Sequence, residues 1–295
     1  MQPLISVLIP AYNAGPFLRR ALESVRAQTH TAWEIIVVEN GSHDDTEAHV
    51  RAFAKAVSQS VRYENSGAAL GVSAARNRAM ALAQGEMFAF LDADDWWTPE
   101  HLACGLATLQ TRGEICFSGF HIYDEPTQSE RETLVPEMPR DPLTSLFRSN
   151  FIQTSSLVMV RREAAQKAGG FDPALKVGED CDYWMRILAA GGCLACTGEP
   201  SCYYVKHGAS AMTKTLLVAE HAVQFYRKHL ASPFLPVALR KMLYAASLAN
   251  LGRLVRSASP ARAQALFLEA WRARPLDLRY PAYAAGTAVL ARLRR

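Results

Sequence analysis

Met87-Phe-Ala-Phe-Leu-Asp-Ala-Asp-Asp95 runs five apolar residues straight into three carboxylates. An apolar run this short, with no polar alternation, predicts a strand buried on both faces, the kind found in helix-covered parallel sheets. The same pattern stands upstream. Leu4–Ile9 predicts a first buried strand closing at Pro10, Glu34–Val38 a second and Val61–Tyr63 a short third. Helical spacings lie between them. Phe17, Leu18, Ala21, Leu22 and Val25 follow Gly15-Pro16; Ala48, Val50, Phe53, Ala54 and Val57 follow a turn at Asn40-Gly41-Ser42; an Ala-rich stretch, Val72–Ala83, closes at Gly85. Four strand–helix alternations predict a doubly wound, mostly parallel α/β sheet with right-handed crossovers. Ligands of such sheets sit beyond the carboxyl ends of the strands. The polar residues after strands one, two and four are therefore expected to converge on one crevice.

The rest of the chain reads less regularly. Pro126 to Pro142 is polar and Pro-rich and reads as a mobile loop. Ser155–Val160 predicts a strand, Arg161–Ala168 and Glu179–Ala190 helices, and Cys202–Val205 a strand; from about Leu216 the chain reads as helices. The 295 residues are 49% hydrophobic and 20% charged, which supports a large core and excludes disorder by composition. No apolar run reaches the ~18 residues of a spanning helix, and Met1–Pro10 lacks the features of a signal peptide. Of six cysteines only Cys193 and Cys196 form a CxxC pair, with no second pair to complete a zinc ribbon. Reduced thiols in a cytoplasmic protein are expected.

Charge is partitioned. Residues 214–295 hold 14 Lys or Arg against three acids, Glu220, Glu269 and Asp277, whereas residues 1–213 carry net −7. A basic tail fits an anionic membrane surface or nucleic acid. The tail has no nucleic-acid motif and no interleaved aromatic pattern, so no nucleic-acid partner is expected. The alternative is a packed helical cap with a solvated basic face.

The acidic cluster after the fourth strand carries the chemistry. Asp92, Asp94 and Asp95 repel one another at a strand end unless a cation is present. Oxygen ligands suit a hard ion, Mg²⁺ or Mn²⁺. A calcium EF-hand loop is excluded, because Trp97 stands where it needs Gly and Ala103 where it needs Glu.

Six segments in order, Ser6-Val-Leu-Ile-Pro-Ala-Tyr-Asn13, Val37-Val-Glu-Asn-Gly-Ser42, Gly71-Val-Ser-Ala-Ala-Arg-Asn77, Phe90-Leu-Asp-Ala-Asp-Asp95, Gly169-Gly-Phe-Asp172 and Gly178-Glu-Asp-Cys-Asp182, resemble glycosyltransferase family 2 over about residues 4–213. The resemblance implies a GT-A fold with a Rossmann-like nucleotide-binding half. It also implies a nucleotide-diphosphate-sugar donor, a divalent metal bound by a DxD-type motif, and inversion at the anomeric carbon. It divides the chain into a transferase domain over 1–213, with halves at 1–115 and 116–213, and a basic helical region over 214–295.

The resemblance also implies roles. Pro10, Ala11 and Tyr12 would hold the base and ribose, or the segment would simply cap the strand with Tyr12 packed in the core. Glu39 and Asn40 occupy a slot that the family usually fills with two Asp residues, the second contacting the base. An amide both donates and accepts, so the base is open: a UDP-sugar is the first expectation, with dTDP- and GDP-sugars as alternatives. Arg76 would address phosphate or form an ordinary salt bridge. Asp94 would bind ribose or metal, Asp95 metal, and Asp92 nucleotide or its neighbours. His207 would be a metal or phosphate ligand. Asp180 is the expected general base. Glu179, Trp97 and Trp184 are candidates for the acceptor or sugar site, with core packing the alternative for the tryptophans. The acceptor would be a glycan or lipid-linked glycan of a bacterial surface or exported polysaccharide, reached from the inner face of the membrane. Two rivals stand. A nucleotidylyltransferase would want a basic Gly-rich loop after the first strand, which Ala11–Gly15 is not. A non-catalytic nucleotide-sugar or partner-binding module would have lost an acid, but Asp94, Asp95 and Asp180 are all present.

Overall fold

The computed structural model describes residues 2–67, 69–207 and 215–293. The chain divides into two compact units, Met1–Gly208 and Ala209–Arg295. The boundary expected at 213/214 lies outside the described residues.

The first unit begins as β1 (Ile5–Ala11), α1 (Gly15–Arg26), β2 (Trp33–Glu39), α2 (Thr46–Ala54), β3 (Val61–Asn65), α3 (Val72–Leu82) and β4 (Met87–Phe90). Every residue of β1, β2 and β4 is buried, as unbroken apolar runs require. β1 pairs in parallel with β2 and β4, and β2 with β3, so all four strands end at one edge.

Beyond Asp92 come β5 (Trp96–Trp97), α4 (His101–Arg112), β6 (Ile115–Asp124), β7 (Ser129–Leu134), α5 (Pro142–Arg148), β8 (Val158–Arg161), α6 (Arg162–Lys167), α7 (Glu179–Ala189) and β9 (Leu194–Lys206). The sheet order is β3-β2-β1-β4-β8-β6-β9-β5, with β7 on β6. Parallel pairing continues only at β6–β9; β8 runs antiparallel to both β4 and β6. The reason is local. Thr154 and Ser156, just before β8, hydrogen-bond the aspartates at the carboxyl end of β4. A strand that starts at that end and lies beside β4 must run backwards. The stretch expected as a mobile loop instead contains β7, an exposed edge strand with no apolar face to announce it.

The second unit is helical: α8 (Thr215–Lys228), α9 (Val237–Val255), α10 (Pro260–Ala273) and α11 (Arg279–Leu293). Its own core includes Ala245, Leu248, Leu251, Ala263, Phe267 and Ala270. No helix among the described residues is long and apolar enough to cross a membrane.

Candidate functional site

The loops after β1 and β2 are laced together. Asn13 adopts a left-handed conformation (φ 46°); its N–H donates to Ser42 Oγ at 2.9 Å and its Oδ1 accepts from the His43 N–H at 3.0 Å. α1 has no side-chain cap of its own. Asp44 supplies one across the gap, accepting the Gly15 N–H at 2.9 Å, and Thr46 Oγ1 accepts from the Ala14 N–H at 3.0 Å. Burial pushes the Asp44 carboxyl up, but the Thr46 hydroxyl and the Gly15 and Thr46 amides outweigh it and hold it below the usual range.

This lacing shapes a cavity of about 350 Å³ whose lining includes Tyr12, Asn40, Leu70, Gly71, Leu175 and Lys176. Tyr12 is 57% exposed, so it is not core. Asn40 Oδ1 accepts from the N–H groups of Leu70 (2.6 Å) and Gly71 (3.1 Å), and its amide nitrogen has no protein acceptor among the described residues. Other expected nucleotide contacts are displaced. Pro10 and Ala11 are buried in β1 and do not line the cavity; the Ala11 carbonyl accepts from the Asn40 N–H at 2.8 Å. Glu39 is buried and accepts from the Ser42 N–H, bracing the turn instead of facing a base.

Arg76 takes up the alternative of the sequence reading, a salt bridge, though a buried one. It is 3% exposed on α3 and cannot reach out to phosphate. Its Nη2 donates to Asp92 at 2.7 Å and its Nη1 to Glu179 at 2.9 Å. Burial alone would depress the guanidinium, but Asp92 and Glu179 raise it, so it stays charged. Glu179 is therefore the partner of Arg76, not an acceptor-site residue. Asp92 is likewise held, by Arg76 and by the Thr154 hydroxyl at 3.3 Å.

Asp95 is 2% exposed and already satisfied by protein. It accepts from Ser156 Oγ (2.6 Å), Thr154 Oγ1 (3.2 Å) and the Val205 N–H (2.9 Å). Burial, then the charges of Asp94 and Asp92, push its carboxyl well up. A group so enclosed does not fit the role of metal ligand. Asp94 does: its side chain is more open, and its Oδ2 lies 2.8 Å from His207 Nε2. That hydrogen bond raises the His207 imidazole against the effect of burial.

Asp180 opens α7 behind Gly178, a left-handed residue (φ 78°). It is part-exposed. Its Oδ1 accepts from the Cys181 N–H at 2.6 Å and its Oδ2 from Asn150 at 3.3 Å. Burial and then Glu179 push it up to about 7, against the pull of Arg76. Trp184 and Trp97 present no face to a sugar. Trp184 is fully buried among Phe90, Phe171 and Tyr183; Trp97 stacks on His101 and donates its indole N–H to the Ser156 carbonyl at 2.7 Å. Both are apolar rings on inward-facing positions. Sequence reasoning missed Thr154, Ser156 and Asn150. The available signal was a polar Gln153-Thr-Ser-Ser156 cluster at the start of a buried strand.

The model of the glycosyl transferase family 2 matches residues 6–169. The chain belongs to glycosyltransferase family 2. Curated relatives include a putative colanic acid biosynthesis glycosyl transferase of Escherichia coli (strain K12), 28% identical over 77% of this chain and 81% of that one. A putative teichuronic acid biosynthesis glycosyltransferase of Bacillus subtilis (strain 168) is 31% identical over 64% of this chain and 74% of that one. An uncharacterized glycosyltransferase of Rickettsia typhi is 31% identical over 63% of this chain, and the match spans 59% of that protein's length. The fold matches solved glycosyltransferase structures. TarS of S. aureus, solved in complex with UDP-GlcNAc, gives a TM-score of 0.70 at 19% identity over 97% of this chain and 89% of that one. A mannosyltransferase of Pyrobaculum calidifontis, solved with GDP-Man and Mn²⁺, gives 0.65 at 22% identity over 99% and 86%.

The family member's donor set can be tested for a metal. Among the described residues no group of three or more His, Cys, Asp and Glu side chains is placed to hold one. Asp94 and His207 would offer one carboxylate and one imidazole, a pair that suits Mn²⁺ better than Mg²⁺, with substrate phosphate and water completing the shell.

Proposed function

We propose that this family 2 member is an inverting transferase. It would move a sugar from a nucleotide-diphosphate donor to an acceptor hydroxyl in bacterial polysaccharide or glycolipid synthesis. One observation carries the reading: the buried Arg76 bridge. It ties Asp92, beside Asp94 and His207, to Glu179, beside Asp180. The donor-side pair and the candidate base are thereby held on one rigid scaffold.

The cavity lined by Tyr12 and Asn40 suits a base, with the tyrosine ring as an apolar face and the Asn40 amide nitrogen as a donor. Asp180 takes the proton of the acceptor hydroxyl as its oxygen bonds to the anomeric carbon. The bond from that carbon to the diphosphate breaks, and the nucleoside diphosphate leaves with the electron pair. No covalent enzyme intermediate is needed, so configuration inverts. A carboxyl held near neutrality is well matched to a base. Asp94 and His207 would hold a divalent cation, which supplies positive charge for the departing diphosphate. Arg76 is a positioning residue, because its side-chain hydrogen bonds go only to the carboxylates of Asp92 and Glu179.

The relatives' roles in colanic and teichuronic acid synthesis support the polysaccharide setting, and the UDP-sugar and GDP-sugar in the solved neighbours support a nucleotide-sugar donor. A thermal-shift screen of UDP, GDP, dTDP and CDP, with and without Mn²⁺ or Mg²⁺, tests it. Ligand at about 100 times its Kd should add ~2.7 kcal/mol. One nucleotide is expected to stabilise wild type only with metal. Asp94→Ala should lose that response; Asp180→Asn should keep it and lose transfer. No response from any pair would overturn the reading.

A further inference from the structure

Two leucines stand nearly bare on an ordered turn of the second unit. Pro275-Leu-Asp-Leu278 joins α10 to α11; Leu276 is 98% exposed and Leu278 72%. The turn is fixed from within. The Asp277 carboxylate lies 2.7 Å from Arg279 and 3.8 Å from Arg274. Its N–H donates to the Arg274 carbonyl at 3.1 Å, and the Trp271 indole N–H donates to the Pro275 carbonyl at 2.9 Å. The leucines therefore point outward on a braced backbone, not on a frayed end. The exposed Trp271, Arg272 and Arg279 flank them.

We infer that this turn is a membrane tip whose partner is an anionic phospholipid surface. Leu276 and Leu278 enter the acyl boundary, and the surrounding arginines meet lipid phosphates. Charge decides between occupants. Residues 214–295 hold 14 Lys or Arg against three acids, which an anionic surface complements, at about fivefold in affinity per cation near it. Two leucines on one turn cover too little ground for a stable protein interface, which needs a broad apolar centre. A lipid surface needs only a few inserted side chains beside cations. The inference is independent of donor chemistry.

The test uses the full chain and vesicles of phosphatidylcholine with or without phosphatidylglycerol, read by co-sedimentation. Wild type should pellet with the anionic vesicles and much less with neutral ones. The double variant Leu276→Ser/Leu278→Ser should lose about tenfold or more in affinity, and Arg272→Gln a few-fold. Both variants should melt like wild type, because these side chains pack against nothing that folding needs. Equal binding by wild type and the leucine variant would overturn the inference, as would equal binding to both vesicle types. Failure of wild type to bind, with a dimer that the leucine variant splits, would make the turn an interface between copies and also overturn it.

Discussion

Asp180 carries opposing demands on one carboxyl. Burial and Glu179 push it up to about 7. A base must be ionised to accept a proton, so kcat/KM should rise with pH through about 7 and level off above it. Stability runs the other way. The folded state holds this proton more tightly than the unfolded chain, so stability falls as pH climbs from the ordinary aspartate range through about 7. Asp180→Asn removes a charge that its surroundings disfavour. It should cut transfer by ~10²–10⁴-fold and melt above wild type at about pH 8. A lower melting temperature there would show that Asp180 is stabilised by its surroundings, not strained. The acidic run was legible in Gly178-Glu-Asp-Cys-Asp182, but the partners of its side chains were not. Arg76 sits on a helix whose buried face is Ser73, Ala75, Arg76 and Ala79. So little apolar contrast hides which side faces inward, and a buried arginine reads from sequence as a phosphate clamp.

The elements were readable where burial is one-sided or complete. β1, β2 and β4 announce themselves because each is buried throughout. β9 was legible only at its end, Cys202–Val205: it runs from Leu194, but Gly198 (φ 83°) and Pro200 lie inside it and read as a turn. β7 failed for the opposite reason, its residues being almost all exposed. Capping shows the same limit. The Asp44 carboxylate accepts from the Thr46 N–H at the start of α2, yet it also serves α1, twenty-nine positions away. Asp44→Ala should cost ~1 kcal/mol in urea unfolding. Its depressed pKa means that this contribution is present above the ordinary aspartate range and fades as pH falls through the folded value. An equal cost at strongly acid pH would assign the loss to packing instead of to the carboxylate. Because Asp44 helps shape the loop that carries Tyr12, the same variant should weaken nucleotide binding before it unfolds the chain.

At the scale of the molecule, the two zones of opposite charge coincide closely with two structural units, each with its own core. The first concentrates buried carboxylates after β4 and at the start of α7, a combination that needs partners such as Arg76 and the Thr154 and Ser156 hydroxyls. The second contributes none of the residues assigned to donor or base. Its core can therefore be perturbed alone. Gly252 on α9 lets the Phe267 ring come so close that a Cβ there would lie 2.8 Å from it. Gly252→Val must displace that ring and should cost about 1–3 kcal/mol within α9 and α10. Hydrogen exchange should quicken across the amides of those helices, while the affinity for nucleotide with Mn²⁺ stays at the wild-type value. If nucleotide affinity falls together with helix protection, the donor site depends on the helical unit and the division of labour between the two units is wrong.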